Sequence, residues 1–207
     1  MSNKEPLVPR TGLDAEQIRE RAVALAEDQL RLFGIERMRL ADVARGLGIA
    51  HSSLYKHFPD KATLFAMVSE KWTTHLDQTL ATIAEADGSP PKLIVDWFIK
   101  LHRLKRERVL GEPELYRAFL LAVEARQPFV TAHLQTLQEQ LSGLIRKGID
   151  VGDFRRGSAE TYTRFLFEAT RGFVHPALVL QFSDRDRKAE LKETLQMAFR
   201  ALAADEK

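Results

Sequence analysis

Cysteine is absent from all 207 residues. Its absence excludes disulfide frameworks, thiolate nucleophiles, thiol redox sensors and Cys-based zinc sites, and it suits a reducing compartment. Long apolar runs are missing too. No stretch approaches the roughly 18 residues of a membrane span, and Met1-Ser2-Asn3-Lys4-Glu5-Pro6 lacks the apolar core of a secretion signal. The expectation is a soluble, cytoplasmic protein with no membrane partner. An excess of one charge is also lacking: 31 Lys and Arg against 29 Asp and Glu leave +2, so any nucleic-acid partner must be met by a local patch. What is present, 44% hydrophobic and 29% charged residues, can bury a core as one compact unit or as a small domain joined to a larger one.

Motifs of catalysis are equally sparse. There is no G-x-S-x-G elbow, no H-E-x-x-H and no P-loop, and Gly46-Leu47-Gly48 lacks the third glycine and the preceding strand of a dinucleotide site. The six histidines are scattered without metal-ligand spacing. The chain reads as a non-enzyme with no catalytic residues, no metal and no cofactor.

Helical periodicity runs through most of the sequence, and no stretch alternates at period two for long enough to make a half-buried strand. After a polar, proline-containing arm over residues 1–13, Asp14-Ala15-Glu16-Gln17 reads as a capping box with Leu13 and Ile18 as its hydrophobic staple. Ile18, Ala22, Leu25, Ala26 and Phe33 then share a face, and Gly34 is placed to end the helix. Two short apolar pieces follow, Leu40/Val43/Ala44/Leu47 and Leu54/Phe58, joined through Gly48-Ile49-Ala50. Asp60 is placed to cap a helix over residues 60–86 whose inner face runs Leu64, Val68, Trp72, Leu76, Leu80 and Ile83. Further helices are predicted over 93–109 and from Pro113 onward. Another follows the stripe Val130, Leu134, Leu137, Leu141 and Leu144 up to Gly148 and Gly152, and the last two cover 158–182 and 184–204. The fold class is all-α, with about nine helices.

Residues 37–61 carry the most information. A helix-turn-helix needs a small residue where its two helices cross and a residue tolerating positive φ in the turn, and Ala44 and Gly48 meet those demands. Leu40, Val43, Leu47, Ile49, Leu54 and Phe58 supply a small core. The second helix is left with His51, Ser52, Ser53, Tyr55, Lys56 and His57 facing outward, a set of donors and acceptors suited to a DNA groove. Five cations (Arg37, Arg39, Arg45, Lys56, Lys61) against Asp42 and Asp60 give this segment +3, more than the whole chain. A helical hairpin with an ordinary solvated charged face satisfies the bare pattern equally well.

The run Leu40-Ala41-Asp42-Val43-Ala44, then Leu47-Gly48-Ile49-Ala50-His51-Ser52-Ser53-Leu54-Tyr55-Lys56-His57-Phe58 and Lys61, lies between two long helices. It resembles the N-terminal domain of TetR-family transcriptional regulators. The motif match covers residues 14–72, and the remainder is similar in length and helix layout only. The resemblance implies an arm and helix-turn-helix DNA-binding domain over 1–60 and a helical ligand-binding and dimerisation domain over 61–207. It implies phosphate contacts from Tyr55, His57 and Lys61, with Arg39 as a further one, and base or near-base contacts from His51, Ser53 and Lys56. Two positions depart from the family pattern: Ala50 stands where a capping Ser or Thr is usual, and Ser52 where Gly is usual, a side chain that either adds a polar contact or pushes the helix away from the groove.

By the same resemblance the chain is a ligand-responsive regulator, by default a repressor released from a palindromic operator on double-stranded DNA by a small-molecule effector. It would act as a homodimer paired through its last two helices. Two-fold symmetry supplies two half-sites about one DNA turn, or a multiple of it, apart. The aromatic and small residues of 158–182 suit a dimer face, although an intramolecular core explains them as well. For the effector pocket the bulky residues Trp97, Leu101, Tyr116, Phe119, Phe165 and Phe173 are the candidates, with His102, His133, Arg171 and His175 as nearby polar groups. His175-Pro176 interrupts a helix and bends it toward either a cavity or a dimer face. The cationic run Lys100, Arg103, Lys105, Arg106, Arg108 reads as the solvated back of a helix whose inner face is Trp97, Leu101 and Leu104, with a second anionic-partner patch as the other option. A rival reading, kept open by Ala50 and Ser52, is a helical small-molecule-binding or interaction protein with a vestigial helix-turn-helix.

Overall fold

The computed structural model describes residues 12–203. Residues 1–11 of the predicted arm and Ala204, the predicted end of the last helix, lie outside them. Among the described residues there are eleven helices and no strand beyond an isolated bridge between Phe154 and Ala203. The class is all-α, as predicted, and the two extra helices arise because the helix predicted over 158–182 is three. Among the described residues no helix is long and apolar enough to cross a membrane.

The helices divide between two compact units, one of Met1–Lys71 with Glu114–Gln127, the other of Trp72–Pro113 with Pro128–Lys207. In the first, α1 (Ala15–Arg37) opens on the expected capping box: Gln17 N–H donates to Asp14 Oδ1 at 2.9 Å and Asp14 N–H to Gln17 Oε1 at 3.1 Å. Ala22, Val23, Ala26 and Leu30 are buried, whereas Phe33, placed on the inner face by periodicity, is exposed. Gly34 interrupts the helix at φ 74, ψ 172, and a last turn carries buried Ile35 beyond it. Then come α2 (Leu40–Leu47), α3 (His51–Tyr55) and the start of α4 (Lys61–Ala84). Thr63 N–H donates to Asp60 Oδ1 at 2.7 Å, so Asp60 caps α4 as expected, and that bond holds its carboxyl below the ordinary aspartate range. Helix α6 (Pro113–Glu124) adds Leu115 and Ala118 to the same core.

In the second unit, α5 (Pro90–Gly111), with Pro90 at its first turn, packs Ile94, Trp97, Phe98 and Leu101 against Leu137, Leu141, Leu144 and Ile145 of α7 (Pro128–Val151). Leu76 and Leu80 of α4 join them, with Leu166 of α8 (Ala159–Ala169) and Leu191 and Leu195 of α11 (Lys188–Leu202). Gly148 does not end α7. It is buried inside the helix, and the chain turns only at Gly152, φ 86. Leu134, assigned to the apolar stripe, is exposed.

The helix predicted over 158–182 breaks twice. Thr170 separates α8 from α9 (Arg171–Val174), and its hydroxyl donates to the Leu166 carbonyl at 2.7 Å. His175, forced off helical geometry by the following proline, is extended at φ −67, ψ 128 before α10 (Pro176–Gln181) starts. This second break frees the carbonyls of Phe173 and Val174 from helical pairing, and two side chains of α5 meet them. His102 Nδ1 lies 2.8 Å from the Phe173 oxygen, and Lys105 Nζ donates to the Val174 oxygen at 2.8 Å. Lys105 is 4% exposed, which corrects its placement on a solvated helix back.

Candidate nucleic-acid interface

The helix-turn-helix follows from its local sequence. Gly48 closes α2 in the left-handed conformation (φ 66, ψ 28), where a side chain is strained. Its N–H meets the Arg45 carbonyl at 3.1 Å while Ile49 N–H meets that of Ala44 at 3.1 Å, the paired bonds of a Schellman end. The turn aims α3 away from α2, with Leu54 and Phe58 fully buried beside Val43, Ala44 and Leu47.

That anchoring decides what remains outside. His51, Ser52, Tyr55 and Lys56 are exposed, and Ser53 and His57 are half-buried. The His51 and Tyr55 rings meet edge to face at 4.6 Å, one helical turn apart, and this contact orients the phenol. No side chain caps α3 at Ala50, so the departure from a capping Ser or Thr leaves the first turn without that bond. Arg39 stands exposed at the N-terminal boundary of α2, while Arg45 is paired with Asp42 at 3.0 Å on the outer surface. Lys61 is different: its ammonium donates to the Ile35 carbonyl and lies 5.3 Å from the Phe65 ring centre, so it ties the start of α4 to the end of α1. Arg39, His51, Ser52, Ser53, Tyr55, Lys56, His57 and Lys61 thus all lie around one small core, six of them on α3 or the turn that follows, with Arg39 just before α2 and Lys61 at the start of α4.

The six pocket candidates fall in both units. Trp97 and Leu101 of α5 and Phe173 of α9 share the core of the second unit. Trp97 Nε1 donates to Gln140 Oε1 at 2.9 Å, and Gln140 Nε2 donates to the Asp77 carbonyl at 3.0 Å. Phe165 of α8 is 40% exposed. Tyr116 and Phe119 are buried on α6, in the first unit, where burial pushes the Tyr116 hydroxyl well above its ordinary range. Of the four polar candidates, Arg171 is exposed and paired with Glu168 at 3.3 Å. The three histidines stand near polar groups that sequence reasoning missed. His133 Nδ1 is 2.6 Å from Asp77 Oδ1, and Lys105 is close enough to Asp77, His133 and His175 for its charge to act on each. Spacing carried a signal for Lys105, since Trp97, Leu101 and Lys105 repeat every four residues on the buried stripe of α5.

Comparison with known proteins agrees with this arrangement. Residues 22–68 match the family described as bacterial regulatory proteins, tetR family, and residues 90–195 match the tetracyclin repressor-like C-terminal domain. No curated protein matches the chain. Among solved structures, SmeT, the repressor of the Stenotrophomonas maltophilia multidrug efflux pump SmeDEF, is similar at 21% identity and a TM-score of 0.63, over 94% of this chain and 93% of its own. Thermus thermophilus FadR, a TetR-family repressor in complex with lauroyl-CoA, is similar at 16% identity and 0.64, over 91% and 97%. RolR in complex with resorcinol is similar at 18% identity and 0.63, over 92% and 89%. With one family model spanning more than half its length and the other covering the helix-turn-helix, the chain belongs to the TetR family of DNA-binding transcriptional regulators, which are not enzymes.

Proposed function

We propose that the protein is a cytoplasmic repressor that holds a palindromic operator as a homodimer and is released by a small molecule bound in its C-terminal helices. The observation that carries the reading is the outer face of α3. His51, Ser52, Tyr55 and Lys56 are exposed with Ser53 and His57 beside them, and no apolar side chain of the helix competes for that face. Phosphate contacts fall to Arg39, Tyr55, His57 and Lys61, and base or near-base contacts to His51, Ser52, Ser53 and Lys56. Pairing through the last two predicted helices, now α8–α10 and α11, is supported by exposed apolar side chains on them, Phe165, Leu180 and Met197. The effector is read by the second unit, around Trp97, Leu101 and Phe173, with Phe165 at its surface. Tyr116 and Phe119, the other two candidates, are buried on α6 of the first unit. Resorcinol and lauroyl-CoA in two neighbours support a small-molecule effector here. The effector works by favouring a conformer whose two recognition helices are wrongly spaced for successive grooves.

The uncapped, five-residue α3 favours one other reading, a helical ligand-binding protein with a vestigial helix-turn-helix. Selection from a random duplex pool across a salt series decides between them. The repressor reading expects an enriched palindrome whose affinity falls with a log–log slope of about −0.9 per phosphate contact. No enriched site, with only weak salt-labile binding, establishes the vestigial motif instead.

A further inference from the structure

The core of the second unit contains more unpaired polar capacity than a packed core tolerates. Lys105 is almost fully buried, yet its ammonium has one hydrogen bond, to the Val174 carbonyl. Burial lowers its pKa to about 8, against the opposing pull of the Asp77 carboxylate. His102 and His133 are 5% and 4% exposed, and the Nε2 of each is buried without a partner. A buried nitrogen without a partner destabilises the fold unless something pairs with it.

The chemistry missing from this cluster follows from which nitrogens carry protons. The Nδ1 partners of the two rings, a main-chain carbonyl for His102 and a carboxylate oxygen for His133, both accept. Nδ1 is therefore the protonated nitrogen in each, and in the neutral ring Nε2 is a bare acceptor. Desolvation holds His133 below the ordinary histidine range and so favours that neutral form, with the Asp77 bond opposing it. Lys105, by contrast, has N–H groups to give. One small group can serve the ammonium and an imidazole together only if it both accepts and donates. A carboxylate meets the ammonium but faces the imidazole lone pairs without a proton; a hydroxyl accepts from Lys105 and donates to Nε2.

The surroundings are aromatic. Phe173 stands edge-on to His102 at 6.3 Å, and Trp97, Phe98 and Phe167 meet one another within 6.1 Å in the same core. One of the three polar residues, His102, also lines a cleft of about 380 Å³ with Ile83, Ile99, Arg103 and Arg106. We propose that Lys105, His102 and His133 form a recognition site for the hydroxyl group of a phenol. This inference rests on the proposal that the second unit binds the effector, and it adds the effector's chemical class.

The test is calorimetric titration of the full chain, without DNA, with phenol and resorcinol against benzoate as probes. The expected result is saturable binding of the phenols, with benzoate at least about tenfold weaker, one hydrogen bond's worth. His102→Asn and His133→Asn keep a donor near the Nδ1 position and delete the Nε2 acceptor. Because phenol has one proton to give, at least one of the two should weaken phenol binding about tenfold while operator affinity is unchanged. Two variants guard against one failing to fold, as judged by its melting curve. Benzoate binding as tightly as phenol, wild-type phenol affinity in both folded Asn variants, or no binding of either phenol overturns the proposal. If a non-phenolic compound nevertheless releases the operator, the repressor reading survives and only the assigned chemistry fails. Absence of any operator binding defeats the repressor reading and leaves the calorimetric result standing.

Discussion

Gly34→Ala isolates one junction of the DNA-binding unit. At φ 74, ψ 172 this residue occupies backbone space that is essentially glycine's own, and an alanine held there costs about 1–3 kcal/mol. The added methyl meets a second obstacle, since a Cβ on Gly34 lies 2.9 Å from Glu114 Oε2. The Glu114 side chain is flexible and can retreat, but the same oxygen accepts the Ile35 N–H at 2.8 Å. Retreat therefore breaks a hydrogen bond to a charged group, worth about 1.5–3 kcal/mol. Together the two terms come to about 2.5–6 kcal/mol, a large part of the total stability of an ordinary domain. The expected fall in Tm is roughly 5–24 °C, followed by circular dichroism. Gly143→Ala is the control. It lies inside α7 with nothing within 4 Å of its added Cβ, so it should gain about 0.5–1 kcal/mol.

The two contributions can be separated. Glu114→Gln keeps the shape and removes the charge, so it should lose about 1 kcal/mol, and the double variant should lose less than the two single losses combined, because both act on one bond. The pH dependence has a definite sign. The Ile35 N–H, reinforced by Arg117 and opposed by burial, holds the Glu114 carboxyl below its ordinary range. A depressed folded pKa means stability that is fully present above the unfolded value of about 4.3 and is lost as pH falls through the lower folded value. The gap between wild type and Glu114→Gln should therefore be full at neutral pH and close in acid. A Gly34→Ala protein melting within about 2 °C of wild type refutes the reasoning, because neither backbone strain nor the Glu114 bond would then matter.

Other outcomes follow from single contacts. Asp60→Ala removes the cap of α4 and should cost about 1 kcal/mol in urea unfolding; because the folded-state pKa of Asp60 is lowered, that cost should fade as pH drops through it. Ala50→Ser supplies the absent cap of α3 and should add about 0.5–1 kcal/mol, and a stability equal to wild type would show that the short helix needs no cap. Tyr55→Ala should abolish enrichment of an operator without shifting Tm, whereas Lys61→Ala should lower both, because Lys61 also holds the Ile35 carbonyl. Lys105→Met should flatten the stability of the second unit between about pH 8 and 10.5, where the wild type gains stability with rising pH because its unfolded state binds the extra proton.

Much of the fold and the DNA-facing surface was legible because both depend on local rules. A capping box, a left-handed glycine and an apolar period of 3.6 act within a few residues, so Asp14, Gly48 and the Leu40–Leu47 face were found by spacing alone. Phe33 and Leu134 were misplaced by the same reasoning, since periodicity states which residues share a face and leaves open where that face ends. The membership of α6 in the DNA-binding unit had no sequence signal. Glu114 reaches Ile35 across 79 positions, and nothing local in either residue announces the other.

Lys105 shows why a buried cation is hard to read from charge patterning. Its neighbours Lys100, Arg103 and Arg106 make the segment look like a solvated face, and the rule that lysines stay exposed unless paired supports the same conclusion. The partner that overrides the rule is a main-chain carbonyl, and it is available only because a proline two residues later stops α9 from continuing. Pro176 and Lys105 are thus one feature: the proline strands the Val174 oxygen, and the lysine meets it from α5. The sequence contained both halves, the helix-breaking His175-Pro176 and the four-residue repeat of Trp97, Leu101 and Lys105. Only tertiary packing joins them, and in doing so it brings a cation and two imidazoles into an aromatic core, where a small polar ligand has the most to offer.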